Sequence, residues 1–259
     1  MPPFAVRIGP VLHVGPYHVR AIDYPPGYRQ PEHRHDASSI TVVLAGDIRE
    51  TTRTADVFGG ALSVVAKPAG VRHANQVGPR GARTVQVAWV PGGRSAPGPT
   101  RWQWSHGGSA SAPLLRLASA LRPPGGPTSA APDLVTEAVA AAEAAGRARG
   151  DVPGWLARVK EALDDQLEAG ISIGYLAAQA GAHPVSVSRA FRRHFGVTVT
   201  EYRRRERVRR AAGRIAASAQ SLSAVGHGTG HADHAHFCRE FRRLTGLTPS
   251  EYRRITRTV

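Results

Sequence analysis

Arg189-Ala-Phe-Arg-Arg-His-Phe-Gly-Val-Thr-Val-Thr-Glu-Tyr-Arg-Arg204 lies without gaps on Arg239-Glu-Phe-Arg-Arg-Leu-Thr-Gly-Leu-Thr-Pro-Ser-Glu-Tyr-Arg-Arg254, at an offset of 50 and with ten of sixteen positions identical. Upstream, Ser172-Ile-Gly-Tyr-Leu-Ala-Ala-Gln-Ala-Gly181 matches Ser221-Leu-Ser-Ala-Val-Gly-His-Gly-Thr-Gly230 at an offset of 49, so the one-residue slip falls in the intervening turn. A fixed internal period of this size marks a duplicated supersecondary unit.

Each copy opens on a serine, Ser172 or Ser221, placed to N-cap a helix. Apolar or small residues follow at helical spacing: Ile173, Leu176, Ala177 and Ala180 in the first copy, Leu222, Val225, Gly226 and Thr229 in the second. Gly181 or Gly230 then permits a sharp turn. A second helix turns Val187, Phe191 and Phe195 inward in the first copy, and Phe237, Phe241 and Leu244 in the second. Two short helices about a glycine turn make a helix-turn-helix.

The outward face of the second helix carries Val185, Ser188, Arg189, Arg192 and Arg193 in the first copy. In the second copy it carries His234, Ala235, Cys238, Arg239, Arg242 and Arg243. Residues near such a helix's N-terminus reach base edges in a major groove, so Val185, Ser188, Arg189, His234, Cys238 and Arg239 are the expected base readers. Arg192, Arg193, Arg242 and Arg243, a turn further on, suit phosphates. A single arginine-rich amphipathic helix is ordinarily a solvated face; two at a fixed spacing favour double-stranded DNA. Residues 200–217 read as one connecting helix, apolar at Tyr202, Val208, Ala212 and Ile215 and densely basic elsewhere. Eighteen residues at 1.5 Å each span about 27 Å. That length suits two reading helices in successive major grooves, about 34 Å apart.

Residues 155–254 resemble the DNA-binding domain of the AraC/XylS family of transcriptional regulators, in which a long helix joins two helix-turn-helix units. The family's ending stands here as Gly246-Leu-Thr-Pro-Ser-Glu-Tyr-Arg-Arg254. Two departures stand out. His231 follows the second turn glycine where the family has a large apolar residue, and Gly226, Gly228 and Gly230 crowd one short helix. An interior glycine costs about 1 kcal/mol against alanine, so the second unit is expected to be loosely folded until DNA orders it. His227, His231, His234 and His236 cluster there; polar surface and base contact compete with a metal or pH switch.

Charge supports the same end of the chain. The 259 residues hold 34 Lys+Arg against 19 Asp+Glu, a net +15. Residues 170–259 alone carry 16 arginines, no lysine and 5 acids. Such an excess favours a polyanionic partner, although the scarcity of lysine also fits genome composition. One cysteine, Cys238, excludes a disulfide framework and any cysteine-rich zinc module. As a redox sensor it competes with the plainer reading of a packed or neutral residue. No apolar run approaches the roughly 20 residues that span a bilayer, and no signal-peptide core is present, so a cytoplasmic protein without a membrane partner is expected.

Residues 1–90 read as short strands: 11–14, 17–22, 40–44, 61–65 and 84–89 are β-branched runs bounded by turns, as in a small barrel or sandwich. Residues 91–113 read as a Gly/Pro/Ser-rich loop. Helices are expected over 114–121 and 132–149, separated by Pro123-Pro124-Gly125-Gly126-Pro127. The apolar stripe of the second, Leu134, Val135, Ala138, Val139, Ala142 and Ala145, serves either as a dimer seam or as a face docked on the barrel.

Gly27-Tyr-Arg-Gln-Pro-Glu-His33-Arg-His35, followed by Gly46, resembles the first motif of cupin barrels, and Gly60…Pro68-Ala-Gly70-Val-Arg-His73 the second. His33 and His35, two apart on a strand, point the same way. With His73 they supply three imidazoles, the ligand count of an open zinc or iron site; the alternative is hydrogen bonding to a ligand or within a buried network. The glutamate that metal cupins place after the histidine pair is missing from Asp36-Ala-Ser-Ser-Ile40, leaving Asp36 or Glu50 as substitutes.

The expected architecture is an α+β multidomain chain. Residues 1–92 form a cupin-like sensor barrel, 93–152 a Pro/Gly-rich linker with helices that is a candidate dimerisation segment, and 153–259 an all-α double helix-turn-helix domain. The expected function is sequence-specific transcription regulation, as an activator and a homodimer, under a small-molecule or divalent-metal effector sensed by the barrel. RNA polymerase is a further partner that the resemblance implies. No nucleophile or acid/base pair emerges, so no enzyme is expected. The competing reading is a metal-dependent cupin enzyme fused to a DNA-binding module.

Overall fold

The computed structural model describes residues 5–89, 98–107, 110–121, 129–145, 152–167 and 171–257. The 92/93 boundary, the breaker at 123–127 and the continuation of the second linker helix to residue 149 lie outside the described residues.

Nine strands are described: β1 (Arg7–Ile8), β2 (Leu12–Val14), β3 (Tyr17–Tyr24), β4 (Arg29–His33), β5 (Ser39–Thr51), β6 (Asp56–Gly59), β7 (Ser63–Lys67), β8 (His73–Trp89) and β9 (Gln103–His106). They form one antiparallel sheet in the order β1-β3-β8-β5-β7-β9, with β2 on β3, β4 on β8 and β6 on β5. The β-branched runs 17–22, 40–44 and 84–89 fall within β3, β5 and β8, while 11–14 and 61–65 each begin before the strand they overlap, β2 (Leu12–Val14) and β7 (Ser63–Lys67).

Two strands are far longer than their apolar runs. β5 and β8 pair over most of their lengths with two register shifts, one at Leu44 and one between Gly46 and Ile48. A Cβ on Gly46 would sit 1.8 Å from the Gly81 carbonyl oxygen, and both glycines have positive φ. The two backbones therefore touch where the strands bend, which only glycine permits. That bend lets β8 pair with β3 through one half and with β4 through the other.

The reading of 91–113 as loop is corrected by β9, which pairs with β7 from Ser63↔His106 to Ala66↔Gln103. Its sequence, Gln-Trp-Ser-His, has no β-branched residue and too few alternations to register as a strand; pairing with β7 decides it.

Helices follow: α1 (Ser111–Ala120), α2 (Ala131–Ala145), α3 (Gly154–Asp165), α4 (Ile173–Gln179), α5 (Pro184–Phe195), α6 (Val199–Ala217), α7 (Leu222–His227), α8 (His234–Thr245) and α9 (Pro249–Thr256). The α2 stripe is settled as a docked face. Leu134, Val135, Ala138, Val139 and Ala142 are all buried within the chain, in one core with Leu114, Leu115 and Leu117 of α1 and the barrel.

Cores and domains do not coincide. Leu156, Val159, Leu163, Leu176, Ala177, Val187, Phe191 and Val199 make a separate core for α3, α4 and α5. Val225, Phe237, Phe241, Leu247, Tyr252 and Ile255 instead belong to the core that contains the barrel and α1. The first helix-turn-helix stands on its own apolar centre, whereas the second shares one with the amino-terminal sheet.

Candidate nucleic-acid interface and barrel site

Local chemistry repeats in both units. Ser172 accepts from the Tyr175 amide at 3.2 Å and Ser221 from the Ala224 amide at 3.1 Å, which caps α4 and α7. Gly181 (φ 61°) and Gly230 (φ 80°) make the turns. Asp233 caps α8 by accepting from the His236 amide at 2.7 Å; that bond, aided by Arg239, holds its carboxyl below the usual range. Gly196 and Gly246, both at φ 74°, end α5 and α8 in the left-handed conformation.

The second unit is not loosely built. Gly226 is buried, and a Cβ there would lie 2.9 Å from the Phe237 ring, so the glycine lets α7 press directly onto α8. His231, in the position where an apolar residue was expected, is 3% exposed and sets its ring edge-on to Phe237 at 5.0 Å. Its Nδ1 faces the Thr229 hydroxyl at 3.1 Å and the Gly226 carbonyl at 3.3 Å. The imidazole thus acts as an aromatic filler whose polar edge is partly satisfied. The described residues of this region contain no group of three ligands spaced for a metal.

The outward faces of α5 and α8 are open. Val185, Ser188, Arg189, Arg192 and Arg193 are exposed on α5, and His234, Ala235, Arg239, Arg242 and Arg243 on α8. Among the described residues, no ion pair engages Arg189, Arg192, Arg193, Arg239 or Arg242. Arg243 differs, lying 3.4 Å from Glu201 and 3.9 Å from Glu240. Cys238 is half-buried against the core, with Sγ 3.5 Å from His234 Nε2, and burial raises its thiol pKa. It therefore sits at the edge of the α8 face rather than on it.

The connecting helix α6 spends its arginines internally. Arg203 donates to the Ile171 carbonyl at 3.1 Å, Arg207 to Leu167 at 3.0 Å, and Arg210 to Asp164. Arg214 reaches Gly228 of the second unit, and Arg204 pairs with Glu240 at 3.3 Å. A run that sequence alone reads as basic surface is a set of tethers holding both units to one helix.

In the barrel, His33, His35 and His73 bring one ring nitrogen each within 4.8 Å of one another. Nδ1 of His33 meets the Pro31 carbonyl at 2.9 Å and Nδ1 of His73 the Val71 carbonyl at 3.0 Å, which fixes both rings and leaves Nε2 as the inward atom. His33 Nε2 is buried with no hydrogen-bond partner. Partial desolvation, then the nearby Lys67 ammonium, pushes His35 down to about 4, and the same two causes lower His73, so these rings are neutral and able to ligate near pH 7.

Of the two candidate carboxylates, Asp36 is exposed, whereas Glu50 is 1% exposed. Glu50 accepts from Lys67 Nζ at 2.5 Å and from the indoles of Trp102 and Trp104 at 2.9 and 3.1 Å. Its Oε1 lies 3.6 Å from His73 Nε2, and Lys67 Nζ lies 3.3 Å from the same nitrogen. Lys67, Trp102 and Trp104 escape a sequence reading because no motif links them to Glu50 or to the histidines; they meet Glu50 only through side-chain contacts made in the folded sheet.

Two cavities open between the barrel and the first helix-turn-helix unit. One, about 1160 Å³, runs along Thr51, Arg53, Arg72, Arg101 and Trp102 to His194. The other, about 680 Å³, lies between Phe58, Trp104 and His106 on one wall and Phe195, Tyr202 and Arg209 on the other. Both share Gln103, Trp104, Ala145 and His194 as lining. No helix among the described residues is long and apolar enough to cross a membrane.

Residues 176–255 match the family described as a helix-turn-helix domain. The arabinose operon regulatory protein of Escherichia coli is 30% identical over 100 residues, which cover 37% of this chain and 34% of that protein. The HTH-type transcriptional regulator GlxA of Rhizobium meliloti is 32% identical over 99 residues, 38% of this chain and 31% of that protein. A solved transcriptional regulator with an AraC-type DNA-binding domain, from Chromobacterium violaceum, aligns with a TM-score of 0.38 at 22% identity over 39% of this chain and 91% of that one. The chain spans about a third of the length of the curated relatives it matches.

Proposed function

We propose that this chain, whose residues 176–255 form a helix-turn-helix domain of the AraC type, is a sequence-specific transcription regulator. The observation that carries the reading is the pair of exposed arginine sets at equivalent places on α5 and α8, of which, among the described residues, only Arg243 is ion-paired. Val185, Ser188, Arg189, His234 and Arg239 read base edges, with Cys238 contributing from the rim. Arg192, Arg193, Arg242 and Arg243 bind phosphates, Arg243 after release from Glu201 and Glu240. The working division is a sensor over 1–92, a linker over 93–152 whose β9 completes the sensor's sheet, and a DNA-binding part over 153–259. The regulator works in the cytoplasm as a homodimer and an activator that engages RNA polymerase, and performs no catalysis. Since the α2 stripe is buried within the chain, dimer contacts come from another surface.

The barrel supplies the effector response. The unpartnered Nε2 of His33 and the tied Nδ1 atoms of His33 and His73 suit a divalent cation, which His33, His35 and His73 would hold. When bound, such an ion supplies a fixed positive charge beside Glu50 and Lys67. An effector shifts activity only through different affinities for the DNA-competent and incompetent states.

Titration of the purified chain on its own upstream DNA tests the regulator, with a random duplex as competitor at physiological salt. A preference of at least about 1,000-fold is expected of specific binding, and equal affinity for both duplexes defeats it. Metal content of the same preparation, compared with that of His73→Ala, tests the triad: the variant is expected to lose its metal.

A further inference from the structure

The two helix-turn-helix units have separate apolar cores, so no continuous packing carries the position of α5 over to α8. Helix α6 crosses between them. Val199 lies in the first core, and Val208, Ala211, Ala212 and Ile215 lie in the one that holds the second unit. The first turns of α6 are anchored in the first unit, through Tyr202 to Asp164 at 2.7 Å and Arg203 to the Ile171 carbonyl at 3.1 Å.

From this anchored segment two ion pairs reach straight to α8. Arg204 Nε lies 3.3 Å from Glu240, and Glu201 lies 3.4 Å from Arg243. The partners run in opposite senses, 201 to 243 and 204 to 240, so α8 lies antiparallel along α6. We propose that Glu240 is a positioning residue for DNA recognition: through Arg204 it braces α8 against the first unit and sets the separation of the two DNA-reading helices. This rests on the regulatory reading above.

The duplication singles the residue out. At the offset of 50, Glu240 answers to Ala190, so the first copy has no carboxylate at this place. Glu201 answers to Glu251, which turns back on its own helix start and completes a capping box with Thr248. Glu201 instead gives one oxygen to Arg205 and the other to Arg243. Both carboxylates at the junction thus do what their counterparts do not.

Glu240 is also held from more than one side. Its side chain is 11% exposed and meets Arg204 of α6, Arg243 of its own helix at 3.9 Å, and His231 Nε2 in the preceding turn at 3.7 Å. That nitrogen is buried and has no hydrogen-bond partner. Arg243 can leave for a phosphate without freeing α8, because Arg204 and His231 stay with the carboxylate. A pair this sheltered is screened by salt less than an exposed one.

The experiment uses the full chain and the duplex it protects within its own upstream DNA. A second duplex carries one extra base pair between the two protected segments, which moves one groove by about 3.4 Å and a tenth of a turn. The parent is expected to bind the lengthened duplex about tenfold or more weakly, as for a mismatched base pair. Glu240→Ala, which installs the residue of the first copy, is expected to bind the two duplexes within about threefold of each other, as is Arg204→Gln. The double variant is expected to be no worse than either single one, since the two side chains act as a pair. Glu201→Gln is expected to discriminate like the parent. Urea midpoints are read in parallel, and Arg204→Gln, at a half-exposed side chain, decides alone should Glu240→Ala fail to fold. Lowered midpoints with the parent's discrimination intact overturn the proposal, because a merely structural pair gives that result. Equal binding of the parent to its own and a random duplex removes the regulatory reading and this inference with it. A discriminating parent with equally discriminating variants removes this inference alone.

Discussion

The hydroxyl of Tyr252 donates to the main-chain carbonyl of Leu44, joining α9 to β5 across 208 residues of sequence. Leu44 is the residue skipped by the register shift between β5 and β8, and the β5–β7 pairing stops at Val42. The bulge takes Leu44 out of the ladder, and a fully buried tyrosine supplies its donor. Tyr202 holds the equivalent place in the first copy, yet its hydroxyl goes to Asp164 of α3 at 2.7 Å. One repeated residue thus binds the first unit to itself and the second to the barrel.

Tyr252→Phe therefore removes a buried bond and leaves a buried carbonyl unsatisfied, at a cost of about 1–3 kcal/mol. In urea unfolding of the whole chain, the variant is expected to lower the transition of the barrel and the second unit together. Tyr202→Phe is expected to lower only the transition of the first unit. A single shared shift for both variants would contradict the division into two cores.

Gly226→Ala separates tight packing from looseness. If α7 were frayed, alanine would raise its stability by up to about 1 kcal/mol through helix propensity. With a Cβ 2.9 Å from the Phe237 ring, the expected outcome is instead a loss of about 1–3 kcal/mol from overpacking. The sign of the change in urea midpoint decides between them.

What could be read in advance followed the range of each signal. Ser172, Ser221, Gly181, Gly230 and the buried phenylalanines act within a few residues, so their spacing carried the repeat and both helix-turn-helix units. That the arginines of α5 and α8 lie on outward faces was legible for the same reason. The arginines of α6 were not, because charge alone does not reveal that Leu167, Ile171 and Gly228 offer carbonyls nearby. β9 was hidden by its polar sequence, and with it Trp102 and Trp104 as partners of Glu50. Glycine at 226 suggested weakness because propensity is local, whereas its cause, the Phe237 ring, lies on the next helix.

Acid is expected to weaken the second unit through His231. Burial pushes its pKa below the ordinary value; the Gly226 carbonyl and Glu240, whose Oε2 is 3.7 Å from Nε2, pull it back up, and His236 and Arg207 add to the lowering. Because the folded pKa is depressed, the fold prefers the neutral ring. Stability is full above the unfolded value of about 6.5 and is lost as the pH falls below it. Urea midpoints at pH 7.5 and 5.5 check this, and His231→Leu is expected to flatten the difference.

Glu50→Gln leaves the Lys67 ammonium, 12% exposed, without its carboxylate. Breaking a buried pair from one side costs about 3–5 kcal/mol. The indoles of Trp102 and Trp104 lose their charged acceptor in the same step, so their fluorescence is expected to shift in the folded variant. An unchanged spectrum and midpoint would show that the polar centre of the barrel is not held by this carboxylate.

Arg189→Ala and Arg239→Ala are expected to act differently from Arg192→Ala and Arg242→Ala, although all four side chains are exposed arginines on two helices. A base reader forfeits about 1–3 kcal/mol at one base position and relaxes specificity there. A phosphate contact instead weakens every sequence alike and lowers the slope of log affinity against log salt by about 1. Titrating each variant on operator and single-base-changed duplexes, at several salt concentrations, separates the two signatures. If all four variants lost affinity uniformly and none relaxed a base position, the helices would be coating the duplex rather than reading it, and the equivalence of α5 and α8 would be one of charge alone.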